Sequence, residues 1–183
     1  MEPKGHVMTR KPLLIGFAAV LALGASAAQA QNVDKASQTF IKDAIEANYA
    51  EIDAGKLAQD KSASQDIKSF ADMMVKDHTD ANDKAIAVAK EIGVTPPTGS
   101  SVMEKAEYLK LKVLSGNTFD RSFRSSMIKD HQAVIKEFQK EALRNDAAGQ
   151  FAKATLPTLQ KHLEMAQSLG AAGHTMGSGS TNK

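Results

Sequence analysis

Residues 65–92 read QDIKSFADMMVKDHTDANDKAIAVAKEI, and their apolar spacing decides the fold. Ile67, Phe70, Met74, His78, Ala81, Ala85, Val88 and Ile92 follow one another at intervals of three and four. That puts them on one stripe of a helix, whereas strand residues would alternate between two faces. The stripe is heptad-like, and His78 lies on it. In front of it, Ser62-Ala63-Ser64-Gln65 reads as a capping box. Behind it, Gly93 supplies a stop and Pro96-Pro97-Thr98-Gly99 a linker.

The same period extends in both directions. A helix is expected over 34–61, with Phe40, Ile41, Ala44, Ile45, Asn48, Ile52 and Gly55 on its inner stripe. After the linker, Ser101-Val102-Met103-Glu104 caps a short helix that should end at Ser115-Gly116. A long helix over 119–144 follows, with Phe123, Met127, His131, Val134, Ile135, Phe138 and Ala142 inward. A last one over 146–169 is interrupted by Pro157, which removes one backbone donor and should kink it. No alternating apolar run persists for six residues, so the fold expected is all-α: an antiparallel four-helix bundle with a short extra helix in the crossover.

Residues 1–30 have a different composition. Lys4, Arg10 and Lys11 precede an apolar run over 13–23, and small residues lead to Ala28-Gln29-Ala30. This is the pattern of a secretory signal peptide, with cleavage expected after Ala30. Met8 offers an alternative start, and either start gives the same mature chain. The apolar run is shorter than the roughly 20 residues that span a bilayer, so no transmembrane anchor is expected after cleavage. The expected location is the periplasm or the medium. Residues 170–183 are rich in Gly and Ser and should form a disordered tail; its His174 and Met176 are set aside as features of that tail.

Composition excludes several functions. The leader carries three of the 23 basic residues and one of the 21 acidic ones, which leaves 20 of each and a mature chain near neutrality. A basic face for nucleic acid is therefore not expected. Charges interleaved along the helices argue against a membrane-surface role. Without cysteine there are no disulfides, thiol catalysis or cysteine-bound metals, and the core alone must hold the domain. No G-x-S-x-G elbow, H-E-x-x-H pair or phosphate-binding loop is present, so a hydrolase is not expected.

The chain also repeats itself. Residues 70–78 read FADMMVKDH and 123–131 read FRSSMIKDH: Phe, Met, Lys, Asp and His recur at an offset of 53. Such a repeat places two helices in equivalent environments. Amphipathic patterning accounts for Phe70 and Phe123 as core, and for the Lys and Asp positions, including Lys76 and Lys129, as a solvated flank. The histidines need more. His78 and His131 each follow a methionine, Met74 or Met127, by one turn, and His162 flanks the inner stripe of the last helix. Counted from the helix ends, all three lie roughly 23 Å along their helices, near mid-height. On the first helix Glu46 is level with His78, and Glu51 lies about one turn nearer the end. These residues form the candidate metal set: His78, His131, His162, Glu51, Glu46, Met74 and Met127. Imidazole with carboxylate suits zinc, iron or manganese, and the thioethers favour copper as Cu(I). The Glu-x-x-His pairs of di-iron bundles are absent, since Val75, Ile128 and Leu159 stand three residues before the histidines.

From Phe40 to Leu169 the chain resembles the domain-of-unknown-function family 4142. The residues that carry the resemblance are Glu51-Ile52 with Gly55-Lys56-Leu57-Ala58, Phe70-Ala71, Met73-Met74-Val75 with Asp77-His78, Phe119-Asp120-Arg121, Met127 with Asp130-His131, Leu156-Pro157 and His162-Leu163. The resemblance implies an exported bacterial protein with a ferritin-like bundle, and it marks Glu51, His78, His131 and His162 as family-pattern positions. It implies no activity. Two functions are therefore expected in competition. One is a non-enzymatic periplasmic protein that binds a partner protein or small ligand, in envelope stress for example. The other is a ferritin-like metal binder using interior histidines.

Overall fold

The computed structural model describes residues 34–169. The leader, its cleavage site and the tail with His174 and Met176 lie outside the described residues. Within them the chain forms α1 (Lys35–Lys61), α2 (Gln65–Glu91), α3 (Val102–Lys112), α4 (Gly116–Glu141) and α5 (Ala147–Ser168), and no strand. Among the described residues, no helix is long and apolar enough to cross a membrane.

The helix ends are set by local chemistry. Asp34 caps α1 by accepting from the Ala36 N–H at 3.1 Å. At the α1–α2 turn, the capping box expected at Ser62 is replaced by two separate devices. Ser62 closes α1, its Oγ accepting from the Ser64 N–H at 3.1 Å, while Ser64 is the true N-cap of α2 and accepts from the Ile67 N–H at 3.4 Å. The turn is longer than the sequence suggests, because one serine serves each helix. The second box holds as read: Ser101 and Glu104 exchange both hydrogen bonds, with the Ser101 N–H donating to Glu104 Oε2 at 2.7 Å. At the end of α2, Gly93 takes φ +73°, and the Val94 N–H reaches back to the Ala89 carbonyl at 2.8 Å. This Schellman closure needs the left-handed residue that only glycine adopts cheaply. Helix α4 begins three residues earlier than expected and ends at Glu141. Beyond it the Leu143 and Arg144 N–H groups bond back three residues, to Lys140 and Glu141, so the last turn tightens and the α-helix stops.

The inner stripe of α2 also departs from a strict heptad. Ile67, Phe70, Met74, His78 and Ala85 are buried as expected, but Asn82 and Ala89 take the places assigned to Ala81 and Val88. A straight helix drifts from a 3.5-residue repeat toward 3.6, and past His78 two of the buried positions, 82 and 89, fall one residue later than the strict repeat puts them.

Two apolar clusters fill the bundle. One joins Ile41 and Ile45 of α1 to Ala85 and Ala89 of α2, Ile135 and Phe138 of α4, and Phe151 and Leu159 of α5. The other joins Leu57 and Ala58 to Phe70 and Met74, Leu111 of α3, Phe119 and Phe123 of α4, and Ala166 of α5. Cluster membership gives the topology. Helices α1 and α2 form one antiparallel hairpin and α4 and α5 another. Helix α2 ends beside the first cluster, whereas α4 starts beside the second, so the connection with α3 runs back along the bundle. In α1 and α2 Gly55 allows close approach, since a Cβ there would lie 2.8 Å from Val75 Cγ2. Between the two clusters every long helix contributes a buried polar residue: Asn48, His78 with Asn82, His131 and His162.

Candidate metal centre

Each histidine occupies an inward position on a stripe that is mostly apolar, and burial follows: His78 is 5% exposed, His131 2% and His162 0%. Their ring centroids form a near-equilateral triangle, with sides of 5.7, 5.2 and 5.4 Å. One nitrogen from each ring can be chosen so that all three lie within 4.8 Å of one another.

The hydrogen bonds show which nitrogens these are. His131 Nδ1 lies 2.9 Å from the Met127 carbonyl, one turn back on its own helix, and so donates to it. His78 Nδ1 lies 2.8 Å from Asn48 Oδ1, and His162 Nε2 lies 3.1 Å from Asp77 Oδ2. All three acceptors are oxygens without protons, so each outer nitrogen carries the hydrogen and each inner one a lone pair. The inner atoms are His78 Nε2, His131 Nε2 and His162 Nδ1. His78 Nε2 has no partner at all, and His131 Nε2 faces His162 Nδ1 at 3.4 Å. Two lone pairs at that distance do not make a hydrogen bond; they repel. An oxygen that fixes the outer N–H and turns the inner lone pair toward a common point is the arrangement found behind metal-ligating histidines.

Electrostatics keeps these rings neutral. Burial, with His131 and His162 nearby, holds the His78 ring far below the usual imidazole range. Burial followed by the neighbouring His162 lowers His131 to about 4. His162 is also lowered by burial, with Asp77 opposing. Neutral imidazole is the form that binds a metal.

The structure separates the sequence candidates. It brings His78, His131 and His162 together. Glu51 joins His78 and His131 in lining a small cavity of about 20 Å³, together with Asn48 and Asp130, and its Oε2 is closed to solvent without a partner. Burial, then the Asp130 and Glu104 carboxylates, push the Glu51 carboxyl up to about 8. Glu46 does not line this cavity; the α1 residues that face it are Ala44, Ala47, Asn48 and Glu51. Met74 and Met127 are buried in the phenylalanine-rich cluster, and Met127 meets His131 through its backbone carbonyl. The sequence reading passed over Asn48 and Asp77 as site residues. Asn48 had a detectable signal, a polar residue on an otherwise apolar stripe. Asp77, read as solvated flank, is 22% exposed and turns inward to hold His162 on another helix.

Three imidazole nitrogens that converge in a dry core can hold one transition-metal ion. Metal–nitrogen bonds near 2.0–2.1 Å place ligand nitrogens about 3.5 Å apart, so the widest separation closes by about 1.3 Å on binding.

Comparison with known proteins agrees with the fold. Residues 22–169 match the family described as "Domain of unknown function (DUF4142)". No curated protein matches the sequence. Among solved structures, the crystal structure of a DUF305 fragment from Deinococcus radiodurans is similar. Its TM-score is 0.67 at 14% identity, and the match covers 74% of this chain and 95% of that one. At that identity the likeness concerns the helical fold alone. With the family match spanning most of its length, the chain belongs to the domain-of-unknown-function family 4142.

Proposed function

We propose that this protein is an exported, non-enzymatic metal binder that holds one copper or zinc ion through His78 Nε2, His131 Nε2 and His162 Nδ1. The observation that carries the reading is the set of three inner lone pairs, each fixed by an oxygen behind its ring. A cation at their centre converts mutual repulsion into three bonds. Three neutral nitrogens satisfy Cu(I) as they stand; Zn(II) takes a fourth ligand, for which the cavity beside Glu51 leaves room for one water-sized oxygen. The lack of Glu-x-x-His pairs disfavours di-iron oxidation. The single long crossover through α3 supports a ferritin-like arrangement, and the basic, apolar and Ala-x-Ala sequence of residues 1–30 supports export to the periplasm or beyond.

A second reading rests on a separate feature. A groove of about 900 Å³ runs along α1 and α4 near Lys35, Phe40, Glu137 and Arg144, large enough for a small ligand or a partner's side chains.

Elemental analysis of the purified mature protein, followed by titration of metal-free protein with Cu(I) and Zn(II), tests the first reading. One ion per chain is expected, lost on replacing His78 and His131 together with Ala. Stoichiometric binding that survives the double replacement would exclude this site.

A further inference from the structure

The histidine layer is flanked by the two apolar clusters, and a groove approaches it from the α3 side. Helices α1 and α4 do not meet along their whole length. Beneath α3 a groove of about 290 Å³ separates them, lined by Glu51, Glu104, Glu107, Tyr108, Lys129 and Asp130 among others. Four of these are carboxylates on three helices, and they sense one another: after burial, Asp130 and Glu104 raise the Glu51 carboxyl, and Glu107 and Glu104 help raise Asp130. The groove adjoins the small inner cavity: Ala47, Glu51, Asp130 and Val134 line both. At the inner end stands His78, 5% exposed, whose Nε2 has no partner, and at the neck stands Glu51, whose Oε2 has neither solvent nor partner.

We propose that this groove is a second cation site, in which Glu51, Glu104, Glu107 and Asp130 take up a hydrated divalent metal ion and pass it to the three histidines. The last step rests on the metal reading above; the carboxylate site does not. The chemistry is graded. Carboxylate oxygens accept a cation that still carries water, whereas the imidazoles farther in replace that water with nitrogen. Several existing bonds compete. Glu104 already accepts from the Ser101 N–H at 2.7 Å, Glu107 pairs with Lys110 at 2.7 Å, and Lys129 lies in the groove. The outer site is therefore weak and exchanging, as a transfer site requires, and Glu51, whose Oε2 has no hydrogen-bond partner, gives up its proton to solvent as the ion arrives.

Terbium(III) tests the groove separately from the histidines, because it prefers oxygen ligands and is sensitised by a tyrosine within reach, here Tyr108. Excitation of tyrosine in full-length mature protein should give saturable terbium emission that is lost in Tyr108→Phe. The terbium affinity should fall at least tenfold in Glu51→Gln/Glu107→Gln, and remain unchanged in His78→Ala/His131→Ala and in Glu164→Gln, an exposed acidic position on α5. In stopped-flow mixing, Zn(II) should reach the histidines several-fold more slowly in Glu51→Gln/Glu107→Gln, while Glu107→Gln alone, at an exposed side chain, shows a smaller slowing in a protein whose folding it leaves intact. Absent Tyr108-sensitised emission, or emission indifferent to the carboxylate variants, would overturn the groove site and leave the histidine site standing. Unchanged Zn(II) loading in the double variant, despite lost terbium binding, would overturn the transfer step. Terbium binding in a protein whose histidines never take metal would overturn the transfer step together with the proposed function.

Discussion

Two polar clusters tie the helices of this bundle together, and they are built on opposite principles. At the end where α1 begins and α4 turns into α5, Ser37 Oγ lies 2.8 Å from both Glu141 Oε1 and Asp146 Oδ2. Arg144 spans Asp34, Asp146 and Glu141 at 2.7, 3.1 and 3.5 Å, and Asp146 also caps α5 through the Gly149 N–H at 2.8 Å. Cation answers anion, and the cluster is complete as it stands. At mid-height the donors are equally well held, but they all point outward, and what is gathered inside is only acceptor. A buried acceptor without a partner costs about 1–3 kcal/mol, and one whose neighbours are also acceptors gains nothing by moving closer. The first region satisfies itself; the second gathers lone pairs that a cation would satisfy, as the proposed function requires.

The largest effect should come from the apolar layers that hold the histidines in place. Phe70 and Phe123 meet edge to face at 6.2 Å, and Phe70 also packs against the His162 ring at 6.4 Å. Truncating either to Ala should cost about 3–5 kcal/mol in denaturant unfolding. Phe70→Ala should in addition weaken any stabilisation by metal, since it loosens His162. A loss below about 1 kcal/mol at both would mean that the rings are not core.

Within the mid-height layer, the histidines and Glu51 should respond to pH with opposite signs. Folded His131 titrates at about 4 and His78 lies far below the ordinary imidazole value near 6.5, so below that value the unfolded chain binds protons that the native state refuses. Stability of the metal-free protein should then fall as pH drops from about 6.5 to about 4, by about 3 kcal/mol for His131 alone. Glu51 has the opposite sign. Raised to about 8, it keeps a proton that the unfolded chain releases above about 4.5, and stability should decline again as pH rises toward 8. Unfolding midpoints measured across pH should peak near 6.5. Replacing Glu51 with Gln should remove the alkaline decline, and a flat profile in the unmodified protein would show that the layer is not dry.

Metal should sharpen the contrast directly. An ion at a hundredfold excess over its Kd adds about 2.7 kcal/mol, or a rise in Tm of about 5–10 °C for a domain of this size. The rise should vanish in His78→Ala/His131→Ala and persist in Ser37→Ala, where only the complete cluster is altered. An equal rise in both variants would place the ion elsewhere. The smallest effect belongs to Ser37→Ala itself. It removes one hydrogen bond to buried charge and should cost about 1.5 kcal/mol, independent of metal.

Much of this was legible in the sequence. The period of α2 and its companions dictates long amphipathic helices whatever their neighbours, because one apolar stripe per helix must be buried. The repeated Met-x-x-x-His spacing likewise places His78 and His131 on inner faces at matching heights. The seam of α2 was readable through His78 and again at Ala85, while Asn82 and Ala89 escaped because the drift from 3.5 to 3.6 residues accumulates beyond any short window. That Glu51 and not Glu46 lines the inner cavity depends on how α1 rotates against its partners, which axial counting leaves open.

What the sequence determined by itself is therefore a helical bundle with three histidines turned inward at one level, since helical period and rise are properties of the backbone. The tertiary structure alone decided that those histidines meet with their lone pairs together. That outcome depends on an amide of α1, a carboxylate of α2 and a carbonyl of α4 arriving behind three rings. Only packing between helices sets which oxygen lies behind which nitrogen, and hydrogen bonds of 2.8 to 3.1 Å are too short-ranged to be read from spacing along a chain.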